Sequence, residues 1–496
     1  GKTALVCGDR RHTYSEINAA ADKLAFALKE AGVRRGDRVV IWLHNSFEAV
    51  IAIFAAVKAS AVFVPVNRGA KNDKLSYILN NCRASALVVD PKGLEQLTGV
   101  QLRETVPSLH TVVVCGDPPP PQAPDPVVLF LPRILETTKA VQLPRENIDR
   151  DLACLIYTSG TTGEPKGVMS DHSNVAFASA SIMEYLGSVD SDIVLCVLPL
   201  SFDYGLYQLL MTFWIGGTLV LENSFAFPAM ILKRIQDERV TGFPGVPTVF
   251  AMLLNMDLSR ADLSSIRYVT NTAAALPPTH VLELARRFPG ARVHSMYGLT
   301  ETKRTLQLPP ERLSDKPDSV GIPIPGTEAW VQDDSGRRLQ PGEVGELVVR
   351  GRHVMRGYWE APQLTAARYR PGPIPGESLC FTGDLFRMDE EGFFYFVGRK
   401  DDIIKSRGEK VAPKEVEAAL HALPGVVEAA VVGVPDPVLG QAVRAFVIKS
   451  NPDLTEAAIL AHCRKNLEDF MVPKGVVFRD SFPRSASGKV RKEELL

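Results

Sequence analysis

Segments of helical period alternate with short apolar runs along most of this chain, and that alternation restricts it to few folds. Apolar residues recur at helical spacing over 14–28, Gly36-Asp37-Arg38 turns the chain, and Val39-Val40-Ile41-Trp42-Leu43 reads as a strand. A helix over 47–59 leads to Val62-Phe63-Val64-Pro65-Val66, and another over 75–80 leads to Ala86-Leu87-Val88-Val89-Asp90. The theme returns as a helix near Ser173, a strand over 193–198, a helix over 229–237, Thr241-Gly242-Phe243, a helix from Pro247 and a strand over 266–270. Units of this kind predict an α/β fold of parallel sheets with helices on their faces.

With 496 residues, 45% of them hydrophobic, the chain is expected to build more than one domain. From Val320 the pattern changes to short strands and glycine turns, which reads as a β-rich subdomain. A boundary is placed at Asp401. Residues 1–400 then form a large N-terminal domain, and 401–496 a small α+β domain with a helix over 413–423, strands over 426–434 and 442–449, and a helix over 454–467. The run Pro118-Pro119-Pro120-Pro121 with Pro124 and Pro126 is a stiff surface connector.

Lysine plus arginine, 56, nearly balance aspartate plus glutamate, 57, which argues against a general nucleic-acid or membrane surface. Seven cysteines without a CxxC pair indicate neither a zinc site nor a disulfide framework, so a reducing compartment is expected. No apolar run is long enough to span a bilayer and no basic-then-apolar leader is seen. A cytoplasmic protein without a membrane span is the expectation.

Chemistry concentrates in a few stretches. Tyr157-Thr158-Ser159-Gly160-Thr161-Thr162-Gly163-Glu164-Pro165-Lys166-Gly167 follows an apolar strand. Its glycines permit positive-φ turns that aim backbone N–H groups at one point, its hydroxyls add donors and Lys166 adds a charge, which suits a polyphosphate. No Gly-Lys-Ser/Thr closes it, so it is not a Walker A loop. Phe202-Asp203-Tyr204-Gly205 follows the strand over 193–198. Asn271-Thr272-Ala273-Ala274-Ala275 and Met296-Tyr297-Gly298-Leu299-Thr300-Glu301 follow later strands. Carboxyl ends of parallel strands are where such sheets bind ligands, so these stretches should share one crevice. Asp203 reads equally as a substrate contact or as a cap of the helix that follows. Ser485-Ala486-Ser487-Gly488-Lys489 alone reads as a solvated terminal charge.

Together, Tyr157 to Gly167, Tyr297 to Glu301, Gly345-Glu346-Leu347, Thr382-Gly383-Asp384, Gly398-Arg399-Lys400-Asp401 and Ser487-Gly488-Lys489 resemble, in order, the adenylate-forming superfamily of acyl-CoA synthetases, peptide-synthetase adenylation domains and luciferase. The resemblance implies attack of a carboxylate on the α-phosphate of ATP, then displacement of AMP by a thiol. It implies an ATP site at Thr158, Ser159, Gly160, Thr161, Thr162, Gly163, Lys166, Ala273, Ala274, Met296, Tyr297, Gly298, Asp384 and Arg399. The loop would hold the β- and γ-phosphates, Thr300 the α-phosphate, Glu301 Mg²⁺, and Asp384 with Arg399 the ribose. Lys489 would bridge the attacking carboxylate and the α-phosphate. Asp401 would be the hinge on which the small domain rotates between half-reactions, bringing the Lys405-to-Lys410 turn to the thiol.

Phe202, Asp203, Tyr204, Ala275, Met296 and Arg304 are the expected acyl-substrate contacts. In amino-acid-adenylating members, a Phe-Asp pair like Phe202-Asp203 binds the substrate ammonium, so Asp203 hints at an amino acid. Asp203 pairing with Lys303 or Arg304 is the alternative. Those two cations are expected in a solvated loop, ahead of neutralising Asp203 or binding a second acidic group of the substrate. No carrier domain follows Lys489, so a free-standing ligase is expected, passing a carboxylic or amino acid to the phosphopantetheine thiol of a carrier protein. The alternative is an acyl-CoA ligase using CoA and a non-amino acid, and Lys405, Arg407, Lys410 and Lys414 would serve either acceptor. A regulatory nucleotide-binding module and a luciferase-like oxidative use of the adenylate are the remaining readings.

Overall fold

The computed structural model describes residues 1–97, 102–116, 127–159, 164–272, 276–406, 409–436, 439–485 and 488–496. Among these, the chain forms four sheets. The first runs Val127–Phe130, Thr111–Val114, Ala84–Val89, Arg38–Trp42, Val62–Pro65, Leu152–Ser159, Pro165–Asp171, parallel except at the last pair. In the second, Arg292–Tyr297, Tyr268–Asn271, Gly242–Gly245, Ile193–Cys196, Thr218–Leu221 and Thr3–Cys7 are consecutive parallel neighbours. The alternation read from the sequence thus yields two sheets with parallel centres and antiparallel edges.

One helix shows why they are joined. Phe47–Lys58 buries Phe47, Ala49, Val50, Ile51, Ala52, Ile53, Ala55 and Ala56, almost its whole circumference. A helix apolar all round must be covered all round. It lies in one core with Val39, Ile41 and Phe63 of the first sheet and Val194, Leu195, Leu219 and Val220 of the second. Each fully buried Val or Ile there contributes about 1.5–3 kcal/mol.

The spacing gives no strand between the Gly/Ser/Thr loop and the helix near Ser173, yet Pro165–Asp171 is one, antiparallel to Leu152–Ser159 with Thr158 opposite Lys166. Leu152–Ser159 and Pro165–Asp171 therefore form a hairpin. Gly, Pro and Lys are poor strand formers and hide it, although proline is tolerated as the first residue of a strand. The helix His172–Leu186 starts only afterwards, with the Asp171 carboxylate accepting from the Asn174 N–H.

The third sheet is antiparallel, built from Thr327–Gln332, Val344–Gly351, Ser378–Met388, Tyr369–Pro371 and Phe394–Arg399. The fourth, from Ile404 onward, carries the helices Pro413–His421 and Glu456–Asn466 and has its own core around Ile404, Val416, Leu420, Val431, Val447 and Ile459. All seven cysteines are free. No described helix is long and apolar enough to cross a membrane.

Candidate active site

Three motifs far apart in sequence meet on the antiparallel sheet. Thr382 Oγ1 donates to the Leu347 carbonyl at 2.8 Å, and the Gly383 N–H donates to Glu346 Oε1 at 2.9 Å. Gly383 has φ +68°, and a Cβ there would stand 2.2 Å from Arg368 Nη1, so glycine is needed at this turn. The turn delivers Asp384 opposite Arg399, whose Nε is 3.5 Å from Oδ1, while the Tyr297 hydroxyl donates to Oδ2 at 2.7 Å. Asp384 is 2% exposed, and burial raises its pKa against the opposing pull of Arg399, Tyr297, Lys489 and Arg368. Oδ1 has no hydrogen-bond partner among the described residues. A buried carboxylate with one open oxygen suits a ligand hydroxyl donor such as a ribose. The ring of Tyr297 packs against Phe386 and Phe396, at 4.8 and 6.4 Å between centroids.

Glu301 and Lys166 are brought together by a residue that the motifs do not name. The Tyr358 hydroxyl donates to Glu301 Oε1 at 2.6 Å, and Lys166 Nζ stands 5.7 Å from the centroid of the Tyr358 ring. Burial raises the Tyr358 pKa, and so does Glu301. Gly167 lets this corner close, because a Cβ there would come within 3.1 Å of the Tyr157 ring and 3.3 Å of Trp359 Cβ. Tyr358 and the nearby Arg368 escaped sequence reasoning. Their only signal is the Gly357-Tyr358-Trp359 turn, whose contact with the hairpin, including a Val168–Tyr358 bridge, is tertiary. Glu301 keeps a carboxylate oxygen that Tyr358 does not hold, and a hard carboxylate sharing a cation with phosphate oxygens suits Mg²⁺. No cluster of three or more acidic, His or Cys ligands occurs among the described residues.

The expectation of a solvated loop at Lys303 and Arg304 is corrected: each is 2% exposed. The chain turns back on itself after Gly298, where a Cβ would meet the Lys303 carbonyl at 1.7 Å, and Lys303 takes up φ +54°. That fold-back lets the Thr305 N–H reach the Tyr297 carbonyl at 2.8 Å. It also puts Lys303 Nζ 2.5 Å from Asp203 Oδ1, with Arg304 Nη1 3.6 Å from Oδ2. Asp203 is not the cap of its helix. The N-cap of Asp203–Trp214 is Phe202, without a side-chain bond, and the Asp203 carboxylate turns to the two cations. Tyr204 hydrogen-bonds through its hydroxyl to the Thr270 carbonyl at 2.7 Å, and Met296 Sδ accepts from Tyr185 at 2.9 Å. Phe202 lies edge-on to Tyr204 at 6.5 Å.

Lys489 lies in the tail that follows Gly475–Phe478, the last strand of the fourth sheet. Gly488 has φ +81°, and a Cβ there would lie 3.3 Å from Thr248 Oγ1, so the tail touches the start of helix Pro247–Leu254. Desolvation by the surrounding protein lowers the Lys489 pKa, Arg399 adds to that and Asp384 opposes it, so the lysine feels both members of the Asp384–Arg399 pair. Solvent still reaches it, which a solvated charge would share, but its field is that of the site. Lys400 is anchored through its N–H to the Gly383 carbonyl at 2.8 Å, and exposed Asp401 follows. Thr300, next to Glu301 in the chain, is half-buried. Gly160, Thr161, Thr162, Gly163, Ala273, Ala274, Ala275, Arg407, Gly408, Ala486, Ser487, the proline run and the side chain of Ser159 lie outside the described residues.

Comparison with known proteins identifies the family. The family model for AMP-binding enzymes matches residues 1–359, and that for the AMP-binding enzyme C-terminal domain matches 415–489. A long-chain-fatty-acid–CoA ligase of Bacillus subtilis is 32% identical over 536 residues, covering 100% of this chain and 91% of that one. A feruloyl-CoA synthase of an Amycolatopsis species is 33% identical over 499 residues, covering 99% and 95%. The structure of the anthranilate CoA ligase AuaEII in complex with anthranoyl-AMP superposes with a TM-score of 0.91 at 29% identity, covering 100% and 93%.

Proposed function

Because the chain belongs to the AMP-binding enzyme family of adenylate-forming acid–thiol ligases, we propose that it is an acyl-CoA ligase that activates a non-amino carboxylic acid with ATP and transfers it to CoA. The observation that carries this is the Asp203–Lys303 ion pair at 2.5 Å, which occupies the carboxylate that an amino-acid substrate would need for its ammonium. The names of the relatives, which act on long-chain fatty acids, ferulate and anthranilate with CoA, support the same choice of acceptor over a carrier protein.

In this reading the hairpin loop with Lys166 takes the β- and γ-phosphates, Thr300 the α-phosphate, Asp384 and Arg399 the ribose hydroxyls, and Tyr297 lies beside the adenine. Glu301, oriented by Tyr358, would hold Mg²⁺, which when bound neutralises charge on the phosphates. A carboxylate oxygen of the acid bonds to the α-phosphorus as the bond to pyrophosphate breaks, and Lys489 offsets the negative charge gathered there. The thiol sulfur then bonds to the acyl carbon, AMP leaves, and the thiol proton is released. Between these steps the domain of residues 401–496 turns at Asp401, withdrawing Lys489. Exchange of labelled pyrophosphate into ATP, with CoA-thioester formation measured in parallel, tests the reading. Acid-dependent exchange followed by a CoA thioester is expected. Exchange with amino acids alone, and no thioester with CoA, would return the choice to a carrier-protein ligase.

A further inference from the structure

The buried cluster of Asp203, Lys303 and Arg304 holds a charge that the ligase chemistry leaves unused. Arg304 is 2% exposed, and its guanidinium is nearly without acceptors. Nη2 points at the Tyr204 carbonyl from 3.5 Å, Nη1 lies 3.6 Å from Asp203 Oδ2, and Nε has no hydrogen-bond partner among the described residues. Both distances exceed the 2.7–3.2 Å of a good N–H···O bond. A guanidinium does not escape by losing its proton, and a buried cation without acceptors is costly.

Nearby groups do not balance it. Asp203 is the carboxylate of the cluster and already holds Lys303 at 2.5 Å, so two cations face one anion. His353, buried near Lys303, is pushed down to about 3 by that burial and stays neutral. The remaining walls are aromatic: the guanidinium carbon lies 4.4 Å from the Tyr204 centroid and 5.7 Å from that of Tyr207, whose hydroxyl has no partner among the described residues. Faces of aromatic rings orient a guanidinium without satisfying its N–H donors.

The position is also informative. A Cβ on Gly298 would lie 2.9 Å from the Arg304 Cα, so Arg304 stands directly behind the Tyr297-Gly298 segment. Its stacking partner Tyr204 is bonded to Thr270, in the strand that leads into residues 273–275. Both neighbours border the crevice that takes the acid in the ligase reading, on which this inference rests.

We propose that Arg304 sets the substrate class of this enzyme, and that the acid it activates carries a second carboxylate, which the Arg304 guanidinium receives. A planar guanidinium pairs two N–H donors with two carboxylate oxygens, which satisfies the donors and cancels the surplus charge in one contact. A monocarboxylic acid of the same length leaves them unsatisfied.

The test is pyrophosphate exchange by the full chain with matched pairs: succinate and butyrate, adipate and hexanoate, isophthalate and benzoate. At least one diacid is expected to exceed its monoacid partner by about 100-fold or more in kcat/KM, as for sites built to pair a polar group. In Arg304→Leu the preference collapses, chiefly through a higher KM for the diacid, and Arg304→Lys restores part of it. Monoacids matching or beating diacids in the parent enzyme overturn the inference and leave the ligase reading standing, whether or not the variants fold. Diacid preference unchanged in Arg304→Leu removes Arg304 from the role. Exchange driven only by a monoacid outside these pairs, such as palmitate or ferulate, overturns this inference alone, and failure of every acid, those two included, overturns the ligase reading and this inference with it.

Discussion

Lys303 donates to Asp203 across 2.5 Å, one hundred positions apart in sequence and both inside the protein. Lys303 adopts φ +54° to make that contact, a conformation costing on the order of 1 kcal/mol or more for a non-glycine residue. The fold holds this strain in place through the close packing of Gly298 on the Lys303 carbonyl.

Removing Asp203 leaves two buried cations without their anion. Asp203→Ala is expected to lower unfolding free energy by about 3–5 kcal/mol, whereas replacing the pair together by Leu and Met is milder. Urea unfolding of the three proteins checks this. Unchanged stability with lost activity would instead make Asp203 a substrate contact.

Lys489 acts in one half-reaction in our reading. Lys489→Ala is expected to reduce pyrophosphate exchange by about 100-fold or more, comparable to loss of one preorganised charge-stabilising donor. Thioester formation from supplied acyl-adenylate should be far less affected. Equal losses in the two assays would refute the division of labour.

Tyr358 holds Glu301 at 2.6 Å and should act through it. Tyr358→Phe keeps the ring beside Lys166 and deletes the donor, so the Mg²⁺ concentration for half-maximal exchange should rise about 10–100-fold, as for loss of a second layer of ligand support. An unmoved Mg²⁺ titration argues against that role.

Acid should unfold the protein partly through two histidines. Burial holds His294 down to about 4, with Arg292 adding to the effect, and His353 down to about 3. Below the unfolded value near 6.5, the unfolded chain binds the protons that the folded one refuses, so stability is full above pH 6.5 and falls as pH drops. Each contributes a slope of about 1.4 kcal/mol per pH unit until the folded value is reached. Denaturant midpoints between pH 7 and pH 4 measure it; His353→Phe should flatten the slope.

The sequence by itself carried the architecture and the reaction class. Helical and strand periods are local, so the alternation before Val320 and the change after it were legible, and the ordered stretches from Tyr157 to Lys489 identified the family. Those motifs also named Asp384, Arg399, Glu301 and Lys166, because each stands at a fixed place in a spelled pattern. Tertiary structure alone decided their partners. Nothing near Glu301 announces Tyr358, and nothing in Gly345-Glu346-Leu347 announces that Glu346 accepts from Gly383 at 2.9 Å, since strand pairing makes those contacts. It also reversed the expectation for Lys303 and Arg304. Charged residues after a motif are usually solvated, and only the fold-back at Gly298 buries this pair against Asp203. Local pattern fixes which elements form, whereas the energy of a buried charge depends on what the whole fold brings within a few ångströms of it.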